Sequence, residues 1–251
     1  MTVSNNRSRF VKTLSAASAL ALGAVVLTGC APATTAGGCE LGAEQSGDLT
    51  LKLGSALPLT GNLAFLGPPE EAGAYLAVDE INAAGKGITI DYTPGDSGDN
   101  DNKAYDTEIP RLLNAGVEAV LGAASSGVSL QFIDRLIAEC VIQFSPANTS
   151  AAFTDYEDKG LYFRTAPSDV LQGEVLGNLI AEDGHQRIGM VVLNDSYGTG
   201  LAGFVKAGFE AAGGEVVAEP TYNAGDTNFT SQIAEVLAQD PDAIVLIVFD
   251  E

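Results

Sequence analysis

Basic residues are scarce in this chain of 251 residues. It holds 12 lysines and arginines against 33 aspartates and glutamates, so its formal net charge is −21 at pH 7. A surface this negative repels phosphate backbones, and we therefore expect no nucleic-acid partner. We interpret the acid excess as charge that keeps an exported protein soluble.

Histidine is scarcer still, with His185 as its single occurrence. A serine nucleophile generally needs a base within hydrogen-bond reach, most often histidine, and His185 lies in a predicted surface loop. The serines of "GAASSGVS" also lack the G-x-S-x-G elbow of many hydrolases. An extracellular serine hydrolase acting through Ser125 or Ser126 is thus the least favoured interpretation, and we predict a protein that is not an enzyme.

A long hydrophobic run is also lacking. The apolar stretch Leu14–Leu27 has about 14 residues, whereas a membrane-spanning helix needs about 20. Because basic residues precede this stretch and small residues end it, residues 1–29 are predicted to be a secretory signal. The following "LTGC" resembles a bacterial lipobox, which predicts acylation of Cys30 and a flexible tether over residues 30–48. We expect a lipid-anchored protein on the extracytoplasmic face of the cell membrane.

Cysteines are few, and two remain if Cys30 is acylated. Outside the cytoplasm Cys39 and Cys140 could pair as a disulfide. Alternatively, Cys140 is a small buried apolar residue in the run "AECVIQF". The sequence leaves both options open.

Cofactor and metal motifs are missing as well. The first predicted strand continues into "GSALPLTGN", which lacks the G-x-G-x-x-G of dinucleotide sites. The acidic run Pro94–Asp106 fails the EF-hand spacing, and we interpret it as a solvated loop. We expect no cofactor and no metal.

Alternating strand-like and helical segments dominate what is present. Several strands are nearly continuous apolar runs, as in parallel sheets covered on both faces, and the alternation predicts an α/β fold. The first helix is expected to begin at Pro68 and to end at Gly85, with Ala74, Ala77, Val78 and Ile81 on its buried face. The predicted strands are Leu49–Leu57, Ile88–Thr93, Ala119–Gly122, Val141–Phe144, Arg187–Leu193, Glu215–Glu219 and Ala243–Phe249.

A weak internal repeat divides the chain in two. "INAAGKGITIDYTPGDS" parallels "FEAAGGEVVAEPTYNAGDT", since each passes from a helix end through a strand to Gly-Asp-Ser/Thr. We predict two similar α/β lobes, residues 49–160 and 161–251, with Thr154–Asp169 as crossover or hinge. The last strand ends without a covering helix, from which we expect a truncated sequence that lacks a C-terminal part.

The predicted site lies beyond the carboxyl ends of the strands, where open parallel sheets bind ligands. There Ser125 or Ser126, with the N-terminus of the following helix, would hold a carboxylate, whereas Ser129 is expected only to cap the helix. On the opposite wall Asp250 or Glu251 would pair with an ammonium group. An α-amino acid satisfies both walls.

The segments "LPLTGNLAFLGPPEEAGAYLAVDEINAAGKG", "GAASSGVSL", "FSPANTS" and "VLNDSYGTGLA" together resemble the substrate-binding lipoproteins of branched-chain amino acid ABC transporters. These are type I periplasmic binding proteins, the Leu/Ile/Val-binding group. The resemblance covers residues 49–251. It implies two Rossmann-like lobes that close on a ligand by a hinge and deliver it to a permease.

The resemblance also implies roles for individual residues. The carboxylate-binding serine falls at Ser125 or Ser126, and the acid that accepts the ammonium group falls at or next to Glu251, with Asp250 as the neighbour. A backbone carbonyl and a hydroxyl of Asn148 and Thr149 would contact the ligand head group. The aromatic residue of the second lobe falls at Tyr197. The first-loop aromatic residue that lines the side-chain pocket in the family aligns with Leu66, with Phe65 beside it.

The ligand class stays broad at this stage. Relatives of this kind also bind amides, urea and aromatic acids. The same fold serves as the ligand-sensing module of receptors, although the lipobox without a spanning helix favours transport.

Overall fold

In a computed structural model of the protein, the described residues are Cys39 and residues 47–250. The predicted signal over residues 1–29, Cys30, nearly all of the tether and Glu251 lie outside them. Within the described part, no helix combines the length and apolar character needed to cross a membrane.

The first sheet contains five parallel strands in the order β2-β1-β3-β4-β5. The four strands predicted for this sheet match the observed bounds within one residue, and β4 begins and ends one residue later than predicted. The strands are β1 Leu49–Ala56, β2 Ile88–Thr93, β3 Ala119–Gly122, β4 Ile142–Ser145 and β5 Tyr162–Arg164.

The second sheet is built around β6, which pairs in parallel with β7 and β8 on one side and with β9 on the other. Residues of β6 are buried from Ile188 to Leu193, as expected for a central strand covered on both faces. The strands are β6 Arg187–Leu193, β7 Glu215–Ala218, β8 Thr221–Tyr222 and β9 Ala243–Ile247.

Helices connect the strands and cover the sheets. We call β1–β5 with α1–α3 the first lobe, and β6–β9 with α4–α6 the second lobe. The cores are separate: Val120, Phe132 and Leu136 are fully buried in the first lobe, and Met190 and Phe209 in the second. The helices are α1 Gly67–Ala84, α2 Tyr105–Ala115, α3 Ser126–Ala138, α4 Asp169–Glu182, α5 Gly198–Ala211 and α6 Thr230–Leu237.

Several details differ from the sequence predictions, among them β8, which was not predicted, and β9, which ends at Ile247 rather than at Phe249. Strand β5 lies in the segment predicted as crossover or hinge, and it pairs with β4, so the first sheet continues past the boundary drawn between residues 160 and 161. In α1 only Val78 of the four predicted core residues is buried, while Ile81 is 42% exposed. The reason is that α1 packs chiefly on the edge strand β2.

Cys39 and Cys140 form a disulfide. This result decides between the two options that the sequence left open. The bond joins the segment before β1 to the turn between α3 and β4.

Candidate functional site

A cleft of about 340 Å³ lies where the carboxyl ends of the two sheets face each other. Its volume is within the range of small-molecule sites. Seven predicted site residues line it: Phe65, Leu66, Ser125, Ser126, Thr149, Tyr197 and Asp250. The other lining residues are Leu63, Ala124, Ala147, Gln172, Val248 and Phe249.

Ser126 stands at the N-terminus of α3 and is 3% exposed. Its Oγ accepts hydrogen bonds from the backbone N–H groups of Thr149, at 3.3 Å, and Ser150, at 3.2 Å. A hydroxyl accepts two hydrogen bonds and donates one, so its remaining capacity is as a donor. Ser126 therefore offers the cleft an O–H that suits a ligand oxygen, beside the positive end of the α3 dipole.

The roles of Ser125 and Ser129 differ from the prediction that Ser129 caps α3. Ser125 is the N-cap of α3, because its Oγ accepts a hydrogen bond from the N–H of Val128 at 3.3 Å. Ser129 is fully buried, and its hydroxyl accepts from the N–H of Ala123 and donates to the carbonyl of the same residue. The prediction that Ser129 caps the helix is wrong, since Ser125 occupies that role.

Asn148 does not reach the cleft. It is fully buried, and its amide nitrogen donates to the carbonyls of Ala123 and Ala124 at 3.0 and 2.8 Å. Its amide oxygen accepts from the Tyr162 hydroxyl at 2.9 Å. The side chain thus holds the strand-end loops together, and Ala147 and Thr149 on either side of it face the cleft.

Asp169 is an acid beside the cleft that the sequence analysis missed. It is the first residue of α4, it is fully buried, and its N–H donates to the carbonyl of Thr149 at 2.8 Å. Neither carboxylate oxygen has a hydrogen-bond partner among the described residues. Burial raises the pKa of Asp169. The nearby Thr149 hydroxyl and Arg164 guanidinium lower it, but by less than burial raises it. The sequence signal for Asp169 was an acidic residue after a serine in "PSDV", a pattern typical of helix starts. Nothing in this pattern indicated that the side chain is buried.

The wall from the second lobe is aromatic and acidic. The rings of Tyr197 and Phe249 stack with centroids 5.6 Å apart. Burial, followed by the charges of Asp169 and Asp195, raises the pKa of the Tyr197 hydroxyl, so it stays a neutral donor at physiological pH. Asp250 is exposed just beyond the end of β9 and is the charged residue that lines the cleft in the described part of the chain.

Histidine lies away from the serines. His185 precedes β6 at the amino end of that strand, where its Nδ1 is 3.4 Å from a carboxylate oxygen of Asp242. The serines stand at the carboxyl end of β3. The structure therefore does not bring the one histidine of the sequence to Ser125 or Ser126.

The acidic run Pro94–Asp106 is not the solvated loop that the sequence predicted. Ser97 is 1% exposed and Asp99 9% exposed, because their segment packs under the loop between β1 and α1. Among the described residues there is no group of three or more histidine, cysteine, aspartate or glutamate side chains that could hold a metal ion.

Curated proteins are similar to this chain in amino-acid sequence. The chain is 34% identical over 191 residues to the leucine-, isoleucine-, valine-, threonine-, and alanine-binding protein of Pseudomonas aeruginosa, covering 74% of this chain and 50% of that protein. It is 31% identical over 213 residues to Leu/Ile/Val-binding protein homolog 8 of Brucella abortus, covering 78% and 51%. The chain thus spans about half the length of the curated relatives it matches.

Solved structures agree with the fold. The isoleucine complex of a branched-chain amino acid transporter substrate binding protein from Streptococcus pneumoniae has a TM-score of 0.68 at 30% identity, covering 78% of this chain and 56% of that one. A solute binding protein from R. palustris in complex with benzoate has a TM-score of 0.71 at 24% identity, covering 79% and 55%, and shows the shared fold. A family described as periplasmic binding protein matches residues 50–250. On these matches the chain belongs to the periplasmic binding protein family, as a type I member related to the Leu/Ile/Val-binding proteins.

Proposed function

We propose that this protein captures a free α-amino acid in the cleft between its lobes, without catalysing a reaction. The observation that carries the proposal is Ser126, whose hydroxyl is left as a donor at a helix N-terminus that faces the cleft. Each hydrogen bond to a ligand carboxylate contributes about 1.5–3 kcal/mol. In this proposal the Ser126 hydroxyl and the N-terminus of α3 bind the ligand carboxylate without a positively charged side chain. No unpaired cation is therefore left in the cleft when the ligand dissociates.

The ammonium group is assigned to the acidic side of the cleft. Asp250 lines the cleft directly, and Glu251 is the alternative that follows it in the sequence. Asp169 adds a buried carboxylate behind Thr149, which makes the same region favourable for a cation. A simple anion would meet repulsion here, whereas a zwitterion satisfies both ends.

The pocket for the ligand side chain is apolar. Leu63, Phe65, Leu66 and Phe249 line the cleft between the two polar ends. Apolar burial contributes about 25 cal/mol per Å². Branched-chain or similar amino acids fit this lining, in agreement with the names of the relatives, and related amides are the second ligand class.

We further propose delivery of the ligand to the permease of an ABC importer, from an anchor at Cys30 on the extracytoplasmic face of the cell membrane. Support comes from the lipobox after the predicted signal and from the transport protein among the solved neighbours. Metabolic labelling with a fatty acid tests the anchor. Label should be incorporated into the wild type and lost in Cys30→Ala, and retention of label in that variant would contradict acylation at this residue.

Calorimetry of the full chain against a panel of free amino acids and amides tests ligand capture. We expect roughly micromolar affinity, about −8 kcal/mol, for apolar amino acids. Either Asp250→Asn or Glu251→Gln should weaken zwitterions far more than uncharged amides. Glu235→Gln, an exposed change of the same charge on α6, is the control. Equal losses for zwitterions and amides in both acid variants would overturn the ammonium assignment, and no binding by the wild type would overturn the function.

A further inference from the structure

The apolar wall of the cleft is carried by an irregular loop. This first-wall loop, residues 57–66, connects β1 to α1 and contributes Leu63, Phe65 and Leu66 to the cleft. Because it is neither helix nor strand, its shape has to come from other contacts. Those contacts come from the acidic run that follows β2.

Asp96 holds the beginning of the first-wall loop. Its Oδ1 accepts from the N–H groups of Leu59 at 3.0 Å, Thr60 at 3.2 Å and Gly98 at 2.8 Å. Its Oδ2 accepts from the Thr60 hydroxyl at 2.6 Å. One carboxylate therefore fixes two consecutive backbone groups of the loop.

Asp99 holds the middle of the loop. Its Oδ2 accepts from the N–H of Asn62 at 2.9 Å, and its Oδ1 accepts from the N–H groups of Asp101 and Asn102 at 2.9 and 2.8 Å. The fit is close at Gly61, which has φ +88°, because a Cβ there would stand 2.3 Å from the Asp99 Oδ2. Such bonds between a charged acceptor and backbone donors are about twice as strong as neutral ones.

The same acidic run touches the second lobe. The Oδ2 of Asp101 lies 2.8 Å from the point where a Cβ on Gly225 would stand, and Gly225 follows β8. The run therefore contacts both the first-wall loop and the opposite lobe. Displacing it would move the wall relative to the rest of the cleft.

We propose that Asp99, and to a smaller extent Asp96, are positioning residues that set the selectivity of the cleft for the ligand side chain. Neither lines the cleft. They act through the first-wall loop, whereas the α3 wall, formed by Ser125, Ser126, Ala147 and Thr149, would hold the head group common to all amino acids. This inference rests on the proposed function and adds the origin of its side-chain preference.

The two aspartates should respond differently to asparagine. At Asp99 both oxygens accept from backbone N–H groups, so the NH₂ group introduced by Asp99→Asn must face a donor whichever way the amide turns. At Asp96 one oxygen accepts from the Thr60 hydroxyl, which can rotate and accept from an NH₂ instead. Asp99→Asn should therefore loosen the loop far more than Asp96→Asn.

The test measures the ratio of affinities for leucine and alanine by calorimetry. We expect Asp99→Asn to lower that ratio about tenfold or more and Asp96→Asn to lower it less than about threefold, because only Asp99→Asn places an NH₂ group against a backbone donor. Asp91→Asn, an exposed acid on β2, is the control and should leave the ratio unchanged. An unchanged leucine-to-alanine ratio in Asp99→Asn would overturn the selectivity role.

Hydrogen exchange of the ligand-free protein separates this inference from the proposed function. In Asp99→Asn the amides of residues 59–66 should exchange faster, while the amides of α4 and α5 in the second lobe should not change. If the wild type binds no amino acid or amide, the proposed function fails, and faster exchange confined to the first-wall loop still supports positioning by Asp99. Unchanged exchange in this loop would contradict it.

Discussion

The two walls of the cleft are built in different ways. On the α3 wall the hydroxyls of Ser125 and Ser126 are buried and bonded to backbone groups, and the Asn148 amide behind them joins the strand-end loops. On the second-lobe wall an aromatic pair stands beside Asp250, an exposed acid just beyond the end of β9. The comparison teaches that the first lobe offers a preformed hydroxyl donor and the apolar first-wall loop, whereas the second lobe offers a negative charge beside stacked aromatic rings.

The largest effect should come from breaking the α3 wall. Ser126→Ala removes the O–H donor and leaves the N–H groups of Thr149 and Ser150 without their acceptor, so we expect affinity for amino acids to fall about 10- to 100-fold. Ser125→Ala removes the cap of α3, which should cost about 1 kcal/mol of unfolding free energy and less affinity. Calorimetry and thermal unfolding measure the two quantities. An affinity loss in Ser125→Ala as large as that in Ser126→Ala would contradict the assignment.

The next effect concerns the acid buried between the walls. Since burial raises the pKa of Asp169, this carboxyl keeps its proton to a higher pH than an exposed aspartate. A ligand ammonium favours the charged form, so affinity should rise as pH rises through that pKa, and binding should release protons. Asp169→Asn should lose this part of the pH dependence.

Calorimetry in two buffers of different ionisation enthalpy measures the released protons for Asp169→Asn. The control is Asp250→Asn, which should keep the release that belongs to Asp169. Stability should change in the opposite direction, because an acid whose pKa is raised on folding lowers the unfolding free energy as pH rises above its unfolded value. Identical proton release in wild type and Asp169→Asn would show that this carboxyl does not sense the ligand.

The smallest effect concerns the bond that joins the walls. The Ser150 hydroxyl donates to the carbonyl of Ser196 in the second lobe at 2.9 Å, and its Oγ also caps the short 3₁₀ turn Ala151–Phe153. Because a ligand between the walls benefits from their contact, Ser150→Ala should weaken binding about fivefold, the equivalent of about 1 kcal/mol. Ser168→Ala removes a comparable cap at α4 without any bond between lobes. Equal affinities of the two variants would contradict this role.

Strands with continuous apolar runs were the most predictable part of the fold. β6 follows its predicted bounds because burial on both faces selects a continuous apolar run. β1, β2 and β3 also match within one residue, although their burial is partial. Strand β5 was missed since it has three residues, of which Tyr162 alone is buried. Its position depends on pairing with β4, which no local pattern reveals.

The site was predictable where it follows from strand ends. Ser126, Thr149 and Tyr197 come directly after strands, and the structure brings them to one cleft. The roles of Ser129 and Asn148 were not predictable, because they depend on hydrogen bonds to Ala123, which is 25 residues from Asn148. The burial of Asp169 likewise depends on the second lobe packing near Thr149.

The disulfide between Cys39 and Cys140 stabilises one lobe against unfolding more than the other. It closes a ring, with a sequence separation of 101, that contains β1 to α3 and therefore Ser125 and Ser126 of the α3 wall. A covalent ring of this size removes unfolded-state entropy worth about 4–5 kcal/mol in the chain-entropy account. No such ring encloses β6 to β9 among the described residues, so a thiol reductant should soften the donor-bearing half of the molecule and leave the other half unaffected.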